Sequence, residues 1–220
     1  MNDFSWSYSR IRNFETCARR YNEVDVLKHF TEGPSPQRDE GFVVHAALAK
    51  RISQGAPLPA HMPYEKWIDY VFQGAGIPKA EKKLAITRAF KPCEYFDKVK
   101  PVWLRTVVDV LRVEGAHAHV VDWKTGKVDP DEDQLKLIAT CVMVHYPQVF
   151  DITAELIWLA HDTKSTREYT VDTIVNCWDE HMFHRVDKLR HAHEHDEFPP
   201  RRSGLCRAHC PVHTCEHHGR

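Results

Sequence analysis

Two β-rich runs joined by a single glycine turn constrain this chain more than any other feature. Trp103 to Val113 and His117 to Lys124 are crowded with Val, Thr and Trp, and Glu114-Gly115-Ala116 lies between them. A two-residue turn at Gly115-Ala116 closes them into a hairpin, because glycine at the first central position suits a type II′ turn. Residues then pair where their numbers sum to 231, so Asp109 falls opposite Asp122. Lys124, two residues past Asp122, shares its face. Val108, Val110, Val121 and Trp123 point the other way and offer a core surface. Like charges directly opposite on paired strands are destabilising. A divalent cation between them relieves this, and oxygen ligands suit Mg²⁺ or Mn²⁺. Lys124 is then placed to orient or deprotonate a water, or to neutralise developing negative charge. A solvated face of scattered charges would carry the same residues, and a bulge would undo the pairing.

The hairpin sits in an ordinary globular chain of 220 residues, 42% hydrophobic and 28% charged, long enough to bury a core without disulfides. A net charge of -1 excludes a polycationic binder, so any nucleic-acid contact comes from a local patch. No apolar run approaches the roughly 18 residues of a membrane span, and Met1 to Arg12 has no signal-peptide core. Seven unevenly spaced cysteines point to a reducing, cytoplasmic setting, with metal ligation favoured over disulfides.

Around the hairpin the pattern alternates. Ser5 and Ser7 offer N-caps for a helix carrying Tyr8, Ile11 and Phe14. Thr31 to Asp39 reads as a loop. Glu40 to Ser53 is helical through Phe42, Ala46, Ala49 and Ile52, and Tyr64 to Gln73 through Trp67, Ile68, Val71 and Phe72. Glu81 to Ala89 is a strand. Asp131 to His145 is a helix with an acidic first turn. Thr153 to Ala160 and Arg167 to Val171 are strands, and Asp172 to His193 is a long helix. The expected class is α/β or α+β, in a single domain.

Asp109, a twelve-residue gap, then Asp122-Trp123-Lys124-Thr125-Gly126-Lys127 resembles the D…D-x-K-T-G-K signature of the PD-(D/E)XK nuclease superfamily. More narrowly it resembles the RecB-like branch, which includes CRISPR-adaptation and phage exonucleases. Gly41-Phe42-Val43-Val44-His45 is similar to that branch's G-x-x-x-H helix, whose histidine is a metal ligand. Ser7-Tyr8-Ser9-Arg10 and Phe14-Glu15-Thr16-Cys17-Ala18-Arg19-Arg20-Tyr21 are similar to its N-terminal segment. Gln134 matches a glutamine of the helix after the motif, while Ile138 stands where the branch often has tyrosine.

The resemblance implies a metal-dependent deoxyribonuclease, an exonuclease, with structure-specific endonuclease and non-catalytic DNA-binding module as rival readings. His45, Asp109, Asp122 and the Trp123 carbonyl would hold Mg²⁺ or Mn²⁺. Lys124, Asp122, Asp109 and Gln134 would form the catalytic set, with Glu81 a minor candidate. Partners would be DNA with a free or single-stranded end and a recombination or CRISPR-adaptation protein, with no membrane. The nuclease domain would span 1–197, and the tail 198–220 would pack back on the N-terminal segment. Cys17 with Cys206, Cys210 and Cys215 resembles the 4Fe–4S clasp of this branch, and the interleaved His209, His213 and His217 keep a Zn²⁺ site open. Trp6, Tyr8, Arg10, Arg12, Arg19 and Arg20 are candidate contacts to a DNA backbone and bases.

Overall fold

The computed structural model describes residues 4–129 and 132–220. In chain order its elements are α1 (Tyr8–Thr16), α2 (Ala18–Tyr21), α3 (Pro36–Gln54), α4 (Glu65–Val71), β1 (Lys79–Ile86), β2 (Pro92–Cys93), β3 (Leu104–Glu114) and β4 (His117–Lys124). There follow α5 (Asp133–His145), β5 (Asp151–Trp158), β6 (Thr163–Thr170), α6 (Val171–Cys177), α7 (Phe183–His195) and α8 (Leu205–Ala208). Two compact units result: Pro36–Cys177 is one, and the segment ending at Ser35 joins Trp178–Arg220 in the other.

The larger unit holds a six-stranded sheet in the order β2-β1-β3-β4-β5-β6. Every neighbouring pair is antiparallel except β4 and β5, which run parallel with α5 as the crossover. This is the expected α/β class, a mixed sheet flanked by helices. The hairpin register holds: Val110 pairs with Val121 and Glu114 with His117, each pair summing to 231. Gly115 takes φ 59°, the left-handed value a type II′ turn asks of its first central residue. Val110, Val121 and Trp123 pack with Val44, Leu48 and Ile52 of α3 and Trp67, Ile68 and Val71 of α4. On the opposite face α5 packs against β1, β3 and β5. Its residues Leu135, Leu137, Ile138, Cys141 and Val142 are all buried, so this helix is apolar nearly all round.

Several boundaries differ from the periodicity reading. Helix α3 begins at Pro36, inside the stretch expected to be a loop, because proline is tolerated in a first turn. Its buried stripe is Val44, Leu48 and Ile52, and Phe42 is 68% exposed, so the stripe expected through Phe42, Ala46 and Ala49 is rotated. Short β2 was not expected; its partner is the end of β1. The expected helix start at Asp131 lies outside the described residues, and the described helix begins at Asp133. The expected long helix Asp172 to His193 is α6 and α7 joined by a π-helical turn, Trp178–Met182.

In the smaller unit α1 packs on α7. Arg185 of α7 donates two hydrogen bonds to the Glu15 carboxylate, at 2.6 and 2.8 Å. Tyr21, 1% exposed, has its hydroxyl 2.8 Å from His193 Nε2. The cysteine-bearing tail folds onto the N-terminal segment. Arg19 N–H donates to the Pro199 carbonyl at 3.3 Å, and the Phe30 and His213 rings meet at 4.8 Å. Among the described residues no helix is long and apolar enough to cross a membrane.

Candidate active site

Two strand registers place three carboxylates in a row. On β1 and β3, Ala80 pairs with Val110 and Lys82 with Val108, which leaves Glu81 opposite Asp109. On β3 and β4, the pairing of Val110 with Val121 leaves Asp109 opposite Asp122. Glu81, Asp109 and Asp122 therefore occupy adjacent positions on three neighbouring strands. Glu81 is also distorted: its φ of 50° is left-handed, inside a strand, at a residue that is not glycine. Such a conformation costs about 1–2 kcal/mol and persists only where surroundings impose it.

His45 approaches this row from α3. Its Nδ1 lies 3.3 Å from Asp109 Oδ2, and that oxygen also accepts the Trp123 N–H at 2.8 Å. Gly41, one turn before His45, explains how the helix comes so close. A Cβ there would sit 3.2 Å from Thr125 Oγ1, just past the end of β4. Ligand atoms of His45, Glu81 and Asp109 all lie within 4.8 Å of one another, the one such group of His, Cys, Asp or Glu among the described residues. An imidazole with carboxylate oxygens is a donor set for Mg²⁺ or Mn²⁺.

Asp122 is 3% exposed and forms the other half of the site. Its Oδ1 accepts a hydrogen bond from Gln134 Nε2 at 2.5 Å. Its Oδ2 is buried without an aligned hydrogen-bond donor, with the Lys124 ammonium 2.7 Å away as an ion pair. Lys124 Nζ donates in turn to Gln134 Oε1 at 2.6 Å. Burial, and after it the Asp109 charge, pushes the Asp122 carboxyl up to about 6. Burial works against a charged His45, but Asp109, Asp122 and Glu81 outweigh it and the imidazole pKa is raised. Glu81 is raised by burial and then by Asp109. Three crowded carboxylates beside one imidazole are a donor set whose chemistry fits a divalent cation.

The expected residues thus fall into two adjoining groups. His45 and Asp109 lie together, and Asp122, Lys124 and Gln134 form a closed triangle. The Trp123 side chain belongs to the core, and its N–H serves Asp109. Ile138 is fully buried in the core. Glu81, a minor candidate from the sequence, is a full member of the cluster. The signal that promotes it is its register against β3, which no short turn sets, because residues 87–103 intervene.

The four candidate cysteines lie in the smaller unit, none in a disulfide. Arg201 N–H points at Cys17 Sγ at 3.4 Å, and Ser203 N–H at Cys206 Sγ at 3.4 Å. The Arg201 carbonyl is 3.9 Å from Cys206 Sγ, and Cys17 acts electrostatically on Cys215.

A solved structure of a provisionally named exonuclease from Eubacterium rectale is similar at TM-score 0.54 and 11% identity, covering 93% of this chain and 86% of that one. The structure of a protein titled SSO0001 gives TM-score 0.47 and 14% identity, covering 96% of this chain and 85% of that one. No curated protein matches. The family model described as the PD-(D/E)XK nuclease superfamily matches residues 5–215, and the chain belongs to that superfamily.

Proposed function

We propose that this chain is a metal-dependent deoxyribonuclease of the RecB-like branch that degrades DNA from its ends. The observation that carries the reading is the row Glu81–Asp109–Asp122, with His45 at one side and the Lys124–Gln134 pair at the other. His45, Glu81, Asp109 and Asp122, with the Trp123 carbonyl, would hold Mg²⁺ or Mn²⁺. A divalent ion there supplies Lewis-acid stabilisation of phosphate charge and acidifies a water. The chain's own residues do the positioning. Gln134 bridges Asp122 and Lys124 and fixes both head groups. Lys124 sets a positive charge beside the carboxylates, where it orients the attacking water and offsets charge developing on the phosphodiester.

Cys17, Cys206, Cys210 and Cys215 would hold a 4Fe–4S cluster, with Zn²⁺ as the alternative. What supports this reading is that the tail comes back to the N-terminal cysteine: the Arg201 N–H points at Cys17 Sγ and the Ser203 N–H at Cys206 Sγ.

The test is incubation with end-labelled linear DNA and covalently closed circular DNA, each with Mg²⁺, Mn²⁺ or EDTA. Metal-dependent shortening of the linear DNA, with the circle intact, is expected. Opening of the circle would make the enzyme an endonuclease, and no cleavage of either DNA would sink the reading.

A further inference from the structure

The β2 edge of the sheet carries a cluster that the cleavage chemistry leaves unused. Between residues 79 and 105 there are eight basic and three acidic residues, a local net charge of +5 in a chain whose total is -1. This stretch builds β1, β2 and the start of β3, at one end of the strand order. Tyr95 and Phe96 meet there edge to face, ring centroids 4.9 Å apart. Lys83 Nζ lies 5.7 and 5.9 Å from the two centroids, and Arg105 Cζ 5.6 and 5.5 Å. Two cations therefore share one aromatic pair. Among the described residues neither forms an ion pair, and Arg105 Nε is buried without a hydrogen-bond partner. Phe96 is 68% exposed, so one face of its ring is open to solvent beside the two cations.

The position of the cluster gives it meaning. Lys83 pairs with Val107 and Ala85 with Arg105, so Lys83 and Arg105 share the sheet face of Glu81 and Asp109. Lys83 is two residues from Glu81, about 7 Å along the strand.

We propose that Lys83, Tyr95, Phe96 and Arg105 form a platform for single-stranded nucleic acid leading to the carboxylate row. A base stacks on Phe96, and the flanking phosphates lie on Lys83 and on the forked guanidinium of Arg105. The inference rests on the nuclease reading for the identity of the strand. Single strands are favoured over duplex because the π-faces of paired bases are covered by their neighbours. A duplex would use the two cations and leave Phe96 with nothing to do.

The test is equilibrium binding in EDTA, where no cleavage is needed, to a labelled oligothymidine strand and to a blunt hairpin duplex. Phe96→Ala is expected to weaken oligothymidine binding about tenfold or more while leaving the duplex unchanged. Lys83→Gln should lower the slope of log affinity against log salt on the single strand by about 0.7. Unchanged oligothymidine binding by Phe96→Ala, or equal loss on both DNAs, would overturn the platform. Because the Mg²⁺ cleavage assay is separate, intact cleavage with unaltered Phe96→Ala binding would fail the platform alone. Strong Phe96-dependent binding with no cleavage would fail the nuclease reading alone.

Discussion

At the scale of single residues, Glu81 pays a conformational cost that only its neighbours can justify. A φ of 50° on a non-glycine residue inside β1 is retained beside Asp109 and His45, where its carboxylate lies within 4.8 Å of their ligand atoms. Glu81→Ala and Glu81→Gly should both slow DNA cleavage about a hundredfold or more. They should differ in stability, since glycine accepts this φ and alanine does not; melting in EDTA should place Glu81→Gly above Glu81→Ala. Wild-type cleavage by Glu81→Ala would reduce the residue to a strained strand position. Asp122→Ala and Lys124→Ala should likewise abolish cleavage with the fold retained, and wild-type rates in either would refute the site. Metal occupancy is measurable without turnover. Mn²⁺ at about 100 times its Kd should stabilise the wild type by about 2.7 kcal/mol, and Asp109→Ala should lose that melting shift.

At the scale of elements, the carboxylate row exists because β1, β3 and β4 lie in register and because α3 reaches the end of β4. Gly41 permits the second condition. Gly41→Val should push the helix away from Thr125 and lower cleavage more than Gly41→Ala, as steady-state rates would reveal. On the opposite face a separate polar network ties α4, β4, β5 and β6 together. Glu155, 1% exposed, accepts from His119, Tyr70, Lys164 and Thr166. Burial alone would push the Glu155 carboxyl up, but His119, Lys164 and Thr166 more than reverse it and hold it at about 2. A depressed folded pKa contributes stability above the unfolded value of 4.5 and loses it as pH falls toward about 2. Removing a buried charge partner costs about 3–5 kcal/mol, so Glu155→Gln should melt well below the wild type at pH 7. That gap should stay constant above about pH 5 and close on acidification toward pH 2. A gap independent of pH would mean that Glu155 acts through shape alone.

At the scale of the whole molecule, the family match spans residues 5–215 and so includes both compact units. The smaller unit is assembled from the two ends of the chain. Ring contacts, the Glu15–Arg185 pair and the return of the tail at Pro199 hold it together. A cluster on its four cysteines would add directly to that stability, because metal-binding free energy is folding free energy where the site forms only on folding. Anaerobically purified protein is expected to be brown, with a broad absorbance at about 400 nm. Cys206→Ser should bleach it and lower the melting temperature. Colourless protein with stoichiometric zinc would select the tetrahedral site, and metal-free wild-type protein of full stability would remove the cluster.

The residues legible in the sequence were those fixed by short-range rules. A glycine turn with no freedom of length set the β3–β4 register, so the Asp109–Asp122 juxtaposition and the face of Lys124 followed from counting. Strand and helix types followed from periodicity for the same reason, since each depends on neighbours a few positions apart. Tertiary structure decided the rest. Glu81 enters the site through a pairing whose two strands are separated by residues 87–103, and no local signal sets such a register. Helix α3 turned Val44 rather than Phe42 inward because the partner surface chooses among apolar residues on a helix. The Asp122–Lys124–Gln134 triangle needed α5 to lie over the hairpin. Sequence alone determined the hairpin and the candidate groups on it; long-range packing determined which groups meet, because side chains remote in the chain are brought within bonding distance only by the fold.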